Sequence, residues 1–272
     1  MNYRHIYHAG NFADVMKHLA LVMVIDYFKK KESPFCVIDA HGGCGLYDLS
    51  SEPAQKTGEW KDGIGTFEHT DMPEDFKLYH DVVAEELSRG FYPGSPKIAA
   101  GLLRSQDRLI ANELHPDDVA TLQSNMAHYK NARITKTDAY ECLRANLPPA
   151  EKRGIILIDP PFEEKDEFDT LIRQMKEWKK RFATGTFMIW YPIKPNLAVD
   201  ALKDAACALD MPRTWCFETM KHPRYETGCL NGCGMIVINT PYQMPERVGA
   251  ILPFLKTQMA LCDTPQDWLT AP

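Results

Sequence analysis

The chain has 272 residues, 44% hydrophobic and 25% charged, ordinary globular values with enough length for one large domain carrying an insertion. A formal net charge of −6 argues against a protein that coats nucleic acid over its whole surface, while leaving room for a local basic face. The longest apolar run near the amino end, "LALVMVIDYF", is broken by Asp26 and preceded by Lys17 and His18, so no membrane span is expected and a cytoplasmic location follows.

In chain order, Asn11 is placed to cap a first helix, with Asp14 near its positive end, running through "VMKHLALVMVIDYFKK". "FCVIDA" reads as a buried strand ending in the glycine-rich loop "HGGCG". From Leu46 to about Gly94 no convincing strand is visible; Gly58, Gly63 and Gly65 precede a polar helical stretch, "MPEDFKLYHDVVAEELSRG". "SPKIAAGLLR" predicts a helix capped by Ser95, and "RLIANEL" a strand ending at Glu113. "HPDDVATLQSNM" predicts helix and "ARITKTDA" a strand ending near Asp138. In "IILIDPPFEE", Ile155 to Ile158 lack polar alternation, the pattern of a strand covered on both faces, with Asp159 at its carboxyl end. A helix over 166–181, the strand "GTFMIWYPI", a helix near 197–208 and a final pair, "RTWCFETM" and "GCGMIVINT", complete the pattern. The alternation predicts an α/β doubly wound, mostly parallel sheet with an antiparallel last strand.

One spacing points to an insertion. In a standard dinucleotide fold the acid that holds the ribose follows the glycine loop by about 20 residues, whereas Gly45 and Glu113 are 68 residues apart. A helical subdomain over residues 48–94 is expected to stand above a cofactor crevice, with 1–47 and 95–272 forming the core.

The polar residues fall at the carboxyl ends of strands, where open α/β sheets bind ligands. Gly43 and Gly45 permit a tight turn and close backbone approach, although such loops also serve as plain strand-to-helix turns. Glu113 is placed to accept hydrogen bonds from ribose hydroxyls, and Asp138 to take the exocyclic amine of an adenine ring. Together they suggest an adenosine site, without separating a methyl donor from a nicotinamide cofactor. Asp159-Pro160-Pro161-Phe162 separates them. An aromatic amine is a poor nucleophile, its lone pair delocalised into the ring. A carboxylate (Asp159) accepting one N–H, and a prolyl-fixed carbonyl (Pro160) accepting the other, draw it toward tetrahedral geometry. Phe162 offers a flat face for an unstacked base. The bland alternative is a proline-stiffened turn.

The eight cysteines are scattered and suggest no disulfide framework; Cys229 and Cys233 lack a second ligand pair, so no metal is expected. Cys44 lies in the loop but has no catalytic role to fill, since methyl transfer to nitrogen needs no covalent nucleophile. Basic groups occur as Arg4 with Lys17, as Lys176, Lys179, Lys180 and Arg181 on an amphipathic helix, and as Arg213, Lys221 and Arg224. Tyr3, Arg4, His5, Tyr7 and His8 form a polar and aromatic cluster suited to phosphate and base contact, or to packing against the core.

"DPPF" after a hydrophobic strand resembles the Asp/Asn/Ser-Pro-Pro-Tyr/Phe signature of S-adenosylmethionine-dependent amino-methyltransferases. "YRHIYHAGNFADVMKH", "DAHGGCG", "YPGSP", "ELHP", "DPPF", "WYP" and "GCGMIVIN", in that order along nearly the whole chain, resemble the RlmJ family of bacterial 23S ribosomal RNA adenine-N6 methyltransferases. The resemblance implies a Rossmann-like methyltransferase core with a small helical insertion. It also implies S-adenosylmethionine as donor, S-adenosylhomocysteine as product, and a flipped adenine of naked or partly assembled 23S ribosomal RNA as acceptor, adenine 2030 by the same resemblance. It assigns the donor site to His18, His41, Ser95, Glu113, Asp138 with Ala139, and Asp159, makes Asp159 the proton acceptor and Tyr3 an RNA contact, and puts Lys17 near the active site. Phe162 stands where the closest family pattern has tyrosine, which keeps stacking and loses a phenolic hydrogen bond. Rival readings are a DNA-adenine or protein-glutamine N-methyltransferase, a catalytically silent nucleic-acid-binding module, and a nicotinamide oxidoreductase. No membrane and no obligate protein partner are expected.

Overall fold

The computed structural model describes residues 4–67 and 71–271; Tyr3, expected to touch RNA, lies outside them. Helix α1 (Phe12–Lys29) opens as expected, with Asn11 Oδ1 accepting a hydrogen bond from the Asp14 amide at 3.0 Å. It is apolar almost all round and correspondingly buried from Phe12 to Ile25.

Strands β1 (Cys36–Asp39), β4 (Arg108–Asn112), β5 (Ala132–Thr135), β6 (Gly154–Ile158) and β7 (Thr186–Ile193) are parallel, while β2 (Leu46–Asp48) and β3 (Phe91–Pro93) pair only with each other. With β8 (Trp215–Met220), β9 (Gly232–Ile238) and β10 (Gln266–Trp268) the main sheet has the order β10-β8-β9-β7-β6-β1-β4-β5. The expected antiparallel strand is β9, inserted between β7 and β8 and antiparallel to both, and the short β10 adds an antiparallel edge. This is a doubly wound, Rossmann-like topology.

Helices cover both faces of the sheet. Along β6, Ile155 and Leu157 join the cluster of α1 and Ile98 of α4 (Ser95–Leu102). Ile156 and Ile158 face Leu143 of α6 (Ala139–Asn146), Leu171 of α7 (Glu167–Phe182) and Leu202 of α8 (Val199–Ala208). This double burial is why the strand carries no polar alternation, and each such side chain contributes about 1.5–3 kcal/mol relative to exposure. Helix α4 starts one residue earlier than expected: Gly94 is the cap, and Ser95, already helical, makes no capping hydrogen bond.

The segment between β2 and β3 holds α2 (Glu52–Thr57) and α3 (Glu74–Ser88). Its Phe67, Phe76, Tyr79 and Val83 are fully buried in the same cluster as Met16 and Leu19 of α1. Phe76 also meets Phe254, 5.3 Å between ring centroids, on α9 (Met244–Gln258). At Gly63 the backbone abuts Gly10, whose carbonyl accepts from Ile64 N at 2.9 Å; a Cβ on Gly63 would lie 2.2 Å from that oxygen.

Sequence reading missed β2, β3 and α9. The two strands are too short to show alternation, and α9 contains Pro253. All eight cysteines are free. Among the described residues no helix is long and apolar enough to cross a membrane.

Candidate active site

A cavity of about 760 Å³ opens at the carboxyl ends of β1, β4, β6 and β7 and is lined from both α1 and the loops that follow those strands. Among the described residues it reaches every site residue singled out in the sequence except Arg4 and Gly45, and it has two chemically distinct halves.

The first half follows β1 and β4. Gly43 has φ +56°, and a Cβ there would lie 2.1 Å from Tyr47 Oη, which accepts from the Cys44 amide at 3.1 Å. Glycine is therefore required by backbone conformation and by the tyrosine packed behind the loop, a reason the sequence did not reveal. Gly45, at φ +72°, accepts a hydrogen bond from Gly94 N at 2.9 Å and ties the loop to α4. Gly43 N donates to Glu113 Oε2 at 2.9 Å and His115 N to Oε1 at 2.7 Å, so two backbone amides aim this carboxylate. Asp138 caps α6, its Oδ1 accepting from Tyr140 N at 2.9 Å and Glu141 N at 3.0 Å, which leaves Oδ2 for a ligand. Ala139 and Ser95 are buried and line the cavity.

Two histidines join this half in neutral form. Burial pushes the His18 imidazole down to about 3 and the His41 imidazole down to about 4. His41 Nδ1 accepts from the Asp159 amide at 3.2 Å, linking cofactor loop to "DPPF". His18 Nδ1 pairs with Tyr92 Oη at 2.7 Å, while its Nε2 is buried and has no hydrogen-bond partner among the described residues.

The second half follows β6 and β7. Asp159 Oδ2 lies 2.5 Å from Lys17 Nζ, and the same ammonium lies 2.8 Å from Asp14 Oδ1. Burial opposes the Lys17 charge, but Asp14 and Asp159 outweigh it and hold the ammonium above its ordinary range. Burial likewise opposes ionisation of Asp14, yet His5, Lys17 and His18 keep its carboxyl well below the usual range. His5 Nε2 and the Gly10 amide bond Asp14 Oδ2 at 2.8 and 2.9 Å. Pro160 is buried beside Asp159 in the cavity wall. Phe162 holds φ +51°, uncommon for an aromatic residue, and its ring centroid is 5.0 Å from Phe168 and 5.8 Å from Trp190.

Several expected residues are placed differently. Arg4 is 2.9 Å from Asp118 Oδ1, and Arg224 pairs with buried Glu218, to which Lys203 and Tyr191 also bond at 2.5 and 2.9 Å. Lys221 donates to the Met259 carbonyl and Lys179 to that of Leu209. Cys229 and Cys233 do not act together; instead Cys229, His222 and Glu226 bring their donor atoms within 4.8 Å of one another on the loop between β8 and β9. Sequence reasoning passed over Tyr92 and Trp190, and it gave Asp14 only to the helix end. The available signals were "YPGSP", which begins at Tyr92, and "WYP", which contains Trp190.

The cavity's lining fits S-adenosylmethionine: an acid, Glu113, aimed by two backbone amides and free to accept from hydroxyl groups, an acid at the next strand end, and a buried ring nitrogen on His18 without a partner among the described residues. Residues 32–270 match the family described as ribosomal RNA large subunit methyltransferase D, RlmJ. A Haemophilus influenzae protein named ribosomal RNA large subunit methyltransferase J is 40% identical over 261 residues, covering 94% of this chain and 92% of that protein. An Escherichia coli K12 protein of the same name is 37% identical over 268 residues, covering 97% and 96%. A crystal structure of a Legionella pneumophila protein matches with a TM-score of 0.87 at 32% identity, covering 96% of this chain and 97% of that one. The chain thus belongs to the RlmJ family of ribosomal RNA large subunit methyltransferases, enzymes that take their methyl group from S-adenosylmethionine.

Proposed function

We propose that this enzyme methylates the N6 amino group of an adenine in 23S ribosomal RNA, adenine 2030 by resemblance of its motifs. The observation that carries the reading is Asp159 at the end of β6, with its amide on His41 and its carboxylate on Lys17, in the wall of the same cavity as Phe162. Bound S-adenosylmethionine supplies an electrophilic sulfonium methyl group. Glu113 holds the ribose, Asp138 and Ala139 the adenine, and His18, His41, Ser95 and the Gly43–Gly45 loop the remainder. Asp159 accepts one N–H of the acceptor amine and then its proton, the Pro160 carbonyl takes the other N–H, and Lys17 fixes the carboxylate's direction. Phe162 and Trp190 form the apolar wall against which the base lies.

An adenine reaches such a cavity only when unstacked, which favours naked or partly assembled RNA in the cytoplasm as acceptor. Arg4, 40% exposed on its side chain, and Tyr3 are assigned to RNA contact. Residues 48–94 are assigned to an inserted unit that frames the acceptor side, where Glu59 holds His8 at 3.0 Å and Asn11 at 2.9 Å. The test is tritiated methyl transfer from S-adenosylmethionine to unmodified 23S ribosomal RNA, to DNA and to protein, followed by product digestion, with Asp159→Ala as control. Label in N6-methyladenosine, absent with Asp159→Ala, is the expected result. Label in DNA adenine or a glutamine amide would move the acceptor, and no label despite donor binding would leave a binding module.

A further inference from the structure

Behind His18, which lines the cavity, two tyrosines continue a hydrogen-bonded chain that the mechanism above does not use. His18 Nδ1 lies 2.7 Å from Tyr92 Oη, and Tyr92 Oη lies 3.0 Å from Tyr79 Oη. His18 is 1% exposed and both tyrosines 0%. The His18 and Tyr92 rings stack with centroids 5.6 Å apart at 28°. At the far end, His18 Nε2 is buried, has no hydrogen-bond partner among the described residues and belongs to a ring that lines the cavity.

Proton counting gives this chain a direction. Each tyrosine has one proton to donate, and a neutral imidazole has one N–H and one lone pair. Tyr92 is the hydrogen-bond partner that Tyr79 Oη has among the described residues. If Tyr79 donates to Tyr92, Tyr92 is free to donate to His18 Nδ1, and the imidazole proton must sit on Nε2. Every buried O–H then has an acceptor, and the one donor left over, Nε2–H, belongs to the ring that lines the cavity, where a ligand can accept from it. In the reverse arrangement, His18 Nδ1–H donates to Tyr92 and Tyr92 to Tyr79, and the Tyr79 proton is buried with nowhere to go. Leaving such a donor unpaired costs about 1–3 kcal/mol.

We propose that Tyr79 and Tyr92 are positioning residues that lock His18 as the Nε2–H tautomer, so that this N–H donates to the carboxylate of the methionyl end of the cofactor. The inference rests on the cofactor reading given above. A carboxylate is the group of S-adenosylmethionine that accepts without being able to donate. The cofactor's ammonium cannot accept, and its ribose and adenine are met by Glu113 and Asp138. The opposite tautomer would turn a lone pair toward that anion. Ser95, the first residue of α4, lines the same cavity, and a helix amino end adds a favourable field for negative charge. Tyr79 lies on α3, so residues 48–94 take part in cofactor recognition through two buried hydroxyl groups.

The test uses the full chain and two ligands in isothermal titration calorimetry: S-adenosylhomocysteine, and 5′-methylthioadenosine, which lacks the carboxylate. Tyr92→Phe is expected to weaken S-adenosylhomocysteine about tenfold or more and to leave 5′-methylthioadenosine within roughly twofold. Tyr79→Phe should give a smaller loss of the same selectivity. Equal weakening of both ligands, or of neither, would overturn the proposal. A readout on unmutated protein, nitrogen-15 NMR of labelled histidine, should find His18 protonated at Nε2, and an Nδ1–H tautomer would overturn it independently of any variant. Failure of the unmutated protein to bind S-adenosylhomocysteine would instead remove the cofactor reading beneath it.

Discussion

Lys17 Nζ lies 2.5 Å from Asp159 Oδ2, so an ammonium on the first helix holds a carboxylate 142 residues away at the end of the central strand. Because Asp159 also anchors its amide on His41, the carboxylate is held in one fixed direction. Asp159→Asn keeps the shape and replaces one carboxylate oxygen by an amide nitrogen that cannot take up a proton. Turnover should fall by about 10²–10⁴-fold while the circular dichroism spectrum is unchanged, as measured by single-turnover methyl transfer.

Lys17→Met leaves Asp14, 2% exposed on its side chain, without its buried cation. Breaking such a group should cost about 3 kcal/mol in urea unfolding at pH 7. Asp14 has its folded pKa below the unfolded value, so its stabilisation is complete above the unfolded value and is lost as pH falls through the lowered one. The acid-unfolding midpoint of Lys17→Met should therefore lie at higher pH than that of the natural chain.

His18 acts in the same sense, over a higher pH range. Its folded pKa of about 3 lies below the unfolded value of 6.5, so the unfolded chain takes up a proton that the folded one refuses. Below pH 6.5 this removes about 1.4 kcal/mol of stability per pH unit until the folded value is reached. Replacing His18 by Gln should flatten the stability profile between pH 6.5 and 5 by about that slope, read from urea titrations at each pH.

Gly43 combines a positive φ with a tyrosine hydroxyl, Tyr47 Oη, only 2.1 Å from where a side-chain methyl would stand, and the two costs can be separated. Gly43→Ala should destabilise by about 2–3 kcal/mol. Adding Tyr47→Phe should recover the steric part and leave about 1 kcal/mol from the backbone, a coupling that a double-mutant cycle in chemical denaturation would measure.

What can be read from residues alone divides along sequence distance. Ile155 to Ile158 announce a strand buried on both faces, and Asn11 announces its helix, because each signal lies within a few residues of what it specifies. Glu113 is reachable from its place after a strand. Asp14 reads only as a helix-end charge because His5 is brought onto it by the turn before α1, while Lys17, one turn further along the same helix, is shared with the distant Asp159. Tyr92 sits in a three-residue strand whose partner β2 lies across the whole intervening segment, and Tyr79 occurs in a helix that looks polar because only one narrow face is buried. Ser95 reads as a cap because a proline follows it; Gly94 caps instead, leaving Ser95 in the cavity wall.

Phe67, Phe76, Tyr79 and Val83 are buried among side chains of α1 and α9, and this sets a limit on trimming the enzyme. Excising residues 48–94 to obtain a smaller catalyst would strip one whole layer from the first helix, uncover Met16 and Leu19, and hand the exposed apolar strip to aggregation. A shortened chain would be an insoluble one, so any miniature of this enzyme has to be designed with a replacement cover for α1.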